Sequence, residues 1–280
     1  MIGILSSGLG GLLVVRELER RQPRAGFCYW GDTACGPWGS RSAEFVRARL
    51  ELGLTFLQEK GANNIVVASG DGSVVLKGGA IAQSGGGPSL RSGQAPQSSG
   101  DRHGPALSNL AMIREREGIL IDYWDAQIRA AEKVSKTKRV GVIGSRLVIG
   151  NFEALGLEKK GFAVFKKAIP ALAPLIVEGE EERGEMRRMI RAHLQWFKTK
   201  DIDCLALGSI HYTRMMDDIQ TKMGKRVLVI NPVKALVDAI DSSAVLEEGE
   251  QKFYLTDMSQ YDVAVARQLM GRSVEFGRIY

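Results

Sequence analysis

Ile4-Leu5-Ser6-Ser7-Gly8-Leu9-Gly10-Gly11-Leu12 decides the class of fold. A short apolar run enters a turn of small residues, and an amphipathic pattern over residues 11–21 follows at once. Strand, glycine-rich turn and helix open a β-α unit, and the small residues let backbone N–H groups come close to a carboxylate or phosphate. A dinucleotide fingerprint competes for the same stretch, with Asp32 closing the next strand at a suitable distance. Leu13, however, stands where G-x-G-x-x-G needs its third glycine.

The same alternation runs outward along the chain. Apolar runs predict strands over residues 2–5, 27–30, 65–68, 119–123, 140–143, 205–207 and 227–230. Amphipathic periods predict helices over 11–21, 42–60, 125–133, 180–198, 212–223 and 233–240. Short strands alternating with helices build parallel sheets, so the expected class is α/β. Most of the strands end in Gly, Ser, Asp or Asn, and open parallel sheets bind ligands beyond the carboxyl ends of their strands.

Residues 69–105 break the pattern. They are dominated by Gly, Ser, Gln and Pro and lose any period after Val75, which predicts a flexible polar insertion or a lid. Helical periodicity returns over 106–117.

Composition narrows the function classes. The 280 residues are 44% hydrophobic and 25% charged, with a net charge of +6, and no apolar run reaches the roughly 20 residues of a membrane span. The lysines and arginines are mixed with glutamates along helices, which speaks against a nucleic-acid surface and for a solvated one that attracts small anions. The amino terminus lacks the pattern of a secretory signal, so the expected location is cytoplasmic, with no membrane partner. Cys28, Cys35 and Cys204 have neither zinc-ligand spacing nor an even count, and read as free thiols without a metal site. Cys28 and Cys204 lie in apolar runs; Cys35 lies in a loop.

Several motifs then fall in one order. Ser7-Gly8-Leu9-Gly10-Gly11 is similar to D-S-G-x-G-G when Ser6 takes the place of the Asp. Gly31-Asp32-Thr33-Ala34 with Pro37-Trp38-Gly39-Ser40 is similar to GDTA-x-x-PYGS. Residues 65–68 lead into what would be A-C-N-T, 170–179 are similar to C-P-L-x-x-P-L-V-E-x-G, 205–212 to L-x-L-G-C-T-H-Y, and 253–257 to R-F-Y-x-T-D. Together they resemble the glutamate racemases over nearly the whole chain except the polar insertion.

The resemblance implies two pseudo-symmetric α/β domains with parallel-sheet cores and a site in the cleft between them. The expected division is 1–120 with 212–280 as the first domain, carrying the insertion, and 121–211 as the second. It also implies cofactor-independent interconversion of L- and D-glutamate for peptidoglycan precursors, a dicarboxylic amino acid (glutamate or aspartate) as ligand, and a homodimer. Racemisation needs one acid/base group on each face of the α-carbon, and the family uses one cysteine from each domain, because a thiol exchanges its proton near neutral pH.

Here the chain departs from the pattern. The second cysteine falls on Ser209; the first falls on Ser69 if the strand over 65–68 is extended without a gap, or is displaced by the polar segment if the family's helix resumes over 106–117, and a serine hydroxyl is far too weak an acid for the task. Ser6 takes the place of the Asp that assists the first thiol, Gly70 and Asp71 those of the following Asn and Thr, and Ile210 that of a Thr, while His211 matches. The acid of V-E-x-G falls on Val177, with Glu178 adjacent. The binding positions implied are Ser7, Asp32, Thr33, Pro37, Trp38, Gly39, Ser40, Gly70 and Ile210. The catalytic positions implied are Ser69, Ser209, His211 and Ser6. A second function is open on the same residues: a racemase-like protein that binds a dicarboxylic amino acid without turnover, as a sensor or partner subunit.

Overall fold

The computed structural model describes residues 1–81, 118–244 and 246–279. Its strands are β1 (Ile2–Ser6), β2 (Phe27–Gly31), β3 (Asn64–Val67), β4 (Leu120–Asp122), β5 (Arg139–Gly144), β6 (Ala163–Ala168), β7 (Cys204–Leu207), β8 (Leu228–Val229), β9 (Gln251–Leu255) and β10 (Gly277–Arg278). They form two all-parallel sheets, one in the order β10-β9-β2-β1-β3-β4 and the other in the order β6-β5-β7-β8. The α/β class with parallel-sheet cores is therefore as expected.

The chain divides between the sheets differently from the expected boundaries. β4 pairs with β3 in the first sheet, and β8 pairs with β7 in the second. Ile219, Met223, Val227 and Val229 pack in the core of the second sheet, so that unit runs on to about residue 229 instead of ending at 211. The hydrophobic period over 212–223 carries no mark of which sheet it covers.

Period-two alternation splits the second sheet between two cores. Val140, Val142, Cys204 and Ala206 face the core shared with the first sheet, while Ile143, Leu205 and Leu207 face the other way, onto Ile190, Leu194 and Phe197. Helix Tyr123–Val134 lies between the sheets. Asp122 starts it by accepting from the backbone N–H of Trp124 and Asp125.

Helix Ala43–Glu59 shows how local sequence and burial agree. Ser42 caps it by accepting from the Phe45 N–H at 3.2 Å, and Val46, Leu50, Leu54 and Leu57 recur at helical spacing on the face turned to β1 and β2. Burying each such side chain stabilises the fold by about 1.5–3 kcal/mol.

One expectation is overturned. The polar insertion was expected to begin at Ser69, yet Gly70–Ile81 is a helix. Four glycines make it a poor helix former by propensity. A local cap and tertiary contacts override that: Ser69 accepts from the Gly72 N–H at 3.2 Å, the Trp124 indole donates to the Gly70 carbonyl, and Val74 and Val75 are buried. The rest of the insertion, from 82 to 105, and the helical period over 106–117 lie outside the described residues.

Candidate functional site

The carboxyl ends of both sheets point toward each other, as parallel topology demands of a site between them. β3 runs out through Ala68 to Ser69 and the start of helix Gly70–Ile81. β7 runs out through Gly208 to Ser209 and the 3-10 turn Ile210–Met215. Helix Tyr123–Val134 ties these ends together. The Tyr123 hydroxyl and the Gln127 amide both donate to the Leu207 carbonyl, at 2.6 and 2.8 Å, and the Trp124 indole donates to the Gly70 carbonyl at 3.1 Å.

The two ends are in close contact. A Cβ added to Gly70 would lie 2.1 Å from the Gly208 carbonyl oxygen, so only glycine fits there. Ser145, at the end of β5, donates to the Asp71 carboxyl at 2.5 Å, and a Cβ on Gly39 would lie 2.6 Å from the Ser145 Cβ. Burial pushes Asp71 up to about 6, against the lowering effect of the Ser145 hydrogen bond. On the other side, burial and then the Arg214 charge push His211 down to about 4, so its imidazole is neutral at pH 7.

Open space remains beside this contact. An open cleft is lined by Ser7, Gly8, Thr33, Pro37, His211 and Arg214, with Val177, Tyr261 and Asp262 at its wall. The Tyr261 hydroxyl spans the opening and donates to the Val177 carbonyl at 2.7 Å, linking the helix Gln260–Met270 of the first unit to the second.

The structure sorts the predicted site residues into three groups. Ser7, Thr33, Pro37 and His211 line the cleft. Ser69, Gly70, Ser209 and Gly39 lie where the two units meet, and Ile210 is buried close to Gly10. Ser6, Asp32, Trp38 and Ser40 are not among the lining residues. Ser6 is buried and accepts from the Gly11 N–H at 3.0 Å, holding the glycine turn. Asp32 is buried and accepts from the Trp38 indole at 2.8 Å, twice from Arg49 at 2.9 and 2.6 Å, and from Thr256 at 2.9 Å. Its oxygens are saturated within the protein, which makes Asp32 and Trp38 braces of the cleft wall. Ser40 is exposed.

Sequence reasoning left out Arg214, Tyr261 and Ser145, and placed Asp71 only as the residue standing for the family's Thr. Arg214 had a signal, because it follows His211 by three residues and that spacing shares a helix face. Tyr261 had none, since its helix comes from a distant part of the chain. Cys28 and Cys204 are buried and Cys35 is half-buried, all three as free thiols. Burial raises Cys28 to about 11 and Cys204 to about 12, so both remain protonated inside their strands. Among the described residues no three His, Cys, Asp or Glu gather as a metal site, and no helix is long and apolar enough to cross a membrane.

With the geometry in place, comparison with known proteins is direct. The chain is 30% identical over 280 residues to the glutamate racemase of Aquifex pyrophilus, covering 97% of this chain and 94% of that one. It is 29% identical over 277 residues to the glutamate racemase of Aquifex aeolicus, covering 98% and 95%. The solved glutamate racemase of Aquifex pyrophilus superposes with a TM-score of 0.75 at 27% identity, covering 99% of this chain and 97% of that one. The Francisella tularensis enzyme, solved with D-glutamate, shares the fold at a TM-score of 0.77 and 21% identity, covering 100% and 97%. No family model matches the chain.

Proposed function

This chain belongs to the glutamate racemase family, and from that premise we propose that its cleft binds glutamate or aspartate while the two-thiol step that interconverts their L- and D-forms does not run in it. The observation that carries this reading is serine at both strand ends, Ser69 and Ser209, at the contact beside a cleft lined by Ser7, Pro37 and His211. Deprotonating an α-carbon needs a base that exchanges its proton near neutral pH on each side of the carbon, and a hydroxyl does not supply one. Of the three cysteines, two are protonated inside strands, and Cys35 is not among the residues that line the cleft. Without turnover, the family's role of supplying D-glutamate for peptidoglycan becomes that of a cytoplasmic sensor or partner subunit working on the same small acids.

The cleft suits such a ligand. The glycine turn at 7–10 brings backbone close on one wall, His211 is a neutral hydrogen-bonding group, and Arg214 supplies a positive charge. A second reading, residual turnover, draws on a single observation, the retained His211 on the cleft wall.

Both are tested on the purified full chain. Thermal unfolding with D- and L-glutamate or aspartate is expected to rise with ligand, by about 2.7 kcal/mol at a hundredfold excess over Kd. Circular dichroism of L-glutamate incubated with the protein is expected to stay constant. No stabilisation at millimolar ligand would sink the binding reading, and loss of the dichroic signal would establish residual turnover.

A further inference from the structure

We propose that Arg214 is the residue that selects a second, distal carboxylate on the bound amino acid. The inference rests on the binding reading above and deepens it.

Charge inside the cleft points to this residue. Among the described residues that line it, Arg214 and Asp262 are the ones of Arg, Lys, Asp or Glu type, while burial keeps His211 neutral at pH 7. Asp262 is already engaged: it accepts from the Ser259 N–H at 3.0 Å and from the Ser259 hydroxyl at 2.7 Å, closing the first turn of its helix. Arg214 is thus the cationic side chain that a ligand entering between Ser7, Pro37 and His211 meets. An α-carboxylate and an α-ammonium cancel each other's charge, so the net negative charge of glutamate or aspartate resides in the distal carboxylate, and that is the group a lone cation distinguishes.

The geometry holds Arg214 in place without saturating it. One Nη donates to the Ile176 carbonyl at 2.9 Å, and the other pairs with Glu181. The side chain is 15% exposed, enough to reach the cleft but too little to swing freely. A guanidinium carries five N–H donors in a fixed fork, so two contacts leave donors for an incoming carboxylate. Glu181 is only partly bonded as well, because its Oε2 is buried with no hydrogen-bond partner.

The position also agrees with the contact between the strand ends. Gly70 lies too close to the Gly208 carbonyl to carry a Cβ, and the open volume lies beside that contact, at His211 and Arg214. A ligand lodged there presents its far end to the guanidinium.

Isothermal titration of the full chain with L-glutamate and L-glutamine provides the test, since the two differ only in the distal group. The unmodified chain is expected to prefer glutamate by at least about tenfold. Arg214→Gln is expected to lose that preference while its affinity for glutamine stays within about twofold. Arg214→Lys, which keeps the charge and guards against a folding defect, is expected to retain part of the preference, because an ammonium replaces the fork. Glu181→Gln, which frees the guanidinium, is expected to tighten glutamate. If Arg214→Gln keeps the full preference, or if the unmodified chain binds both ligands equally, the assignment to Arg214 falls while the binding reading stands. If the unmodified chain binds neither, both fall.

Discussion

The end of β3 and the end of β7 carry the same residue type in the same place, yet each does something different with it. Ser69 starts a helix, accepting from the Gly72 N–H, and two residues on Asp71 reaches across to Ser145 in the other unit. Ser209 leads into a 3-10 turn, and two residues on His211 faces the cleft, with Arg214 three residues further. One end forms a clasp between units and the other a wall of the cleft. Pseudo-symmetric halves fix where the backbone goes. They leave each side chain free to be spent on cohesion or on ligand.

The clearest way to separate the two ends is pH, because their buried groups titrate with opposite effect. Asp71 is raised from its ordinary 3.8 to about 6, so the native state holds a proton there that the unfolded chain has lost. Its contribution to stability is present below pH 3.8 and is lost as pH rises to about 6, a change of up to about 3 kcal/mol. His211 is lowered from 6.5 to about 4, so its contribution is present above pH 6.5 and is lost as pH falls toward 4, by a similar amount. In the unmodified chain the two slopes offset each other between pH 4 and 6. Asp71→Asn is expected to remove the alkaline-side loss and expose an acid-side decline in urea midpoint. His211→Asn is expected to do the reverse, with midpoints falling as pH rises from 4 to 6. Equal pH profiles for the two variants would erase the distinction between the ends.

A smaller effect is expected where the ends meet. Gly70→Ala places a methyl group 2.1 Å from the Gly208 carbonyl oxygen, which is backbone and cannot swing away. Overpacking of this kind costs about 1–3 kcal/mol, read as a lower thermal midpoint. An unchanged midpoint would show that the two ends stand further apart.

The smallest effect is expected from restoring the thiols. Ser69→Cys with Ser209→Cys changes one atom at each end and is expected to shift stability by less than about 1 kcal/mol. It is also expected to leave α-proton exchange of L-glutamate in deuterium oxide at background, because neither position lines the cleft and the backbone beside them is in close contact at Gly70 and the Gly208 carbonyl. Exchange above background would show that the ends part to admit substrate and that only the acid/base groups are missing.

Much of this arrangement is legible in particular residues. The predicted strands over 2–5, 27–30 and 205–207 match β1, β2 and β7 to within a residue, because buried parallel strands are continuous apolar runs. β6 escapes that signal: Ala163-Val164-Phe165-Lys166-Lys167-Ala168 lies at a sheet edge, is only partly buried, and reads as mixed. Helix Gly70–Ile81 escapes because its glycines argue against it and only its packing argues for it. Ser7, Pro37 and His211 stand in motifs that keep their order and line the cleft, whereas Asp32, from the same motifs, is bonded to Trp38, Arg49 and Thr256.

By itself the sequence determined the α/β class, the parallel sheets, the family and the serines at both strand ends, because these follow from local apolar period and from residue type at ordered motifs. Only the tertiary structure decided that Ser69 begins a helix, that Asp71 is clasped to Ser145, that the ends of β3 and β7 touch, and that Arg214 and Tyr261 share a cleft with Ser7. Those facts depend on which distant segments meet, and a close approach between residues 70 and 208 leaves no trace in either stretch beyond a glycine.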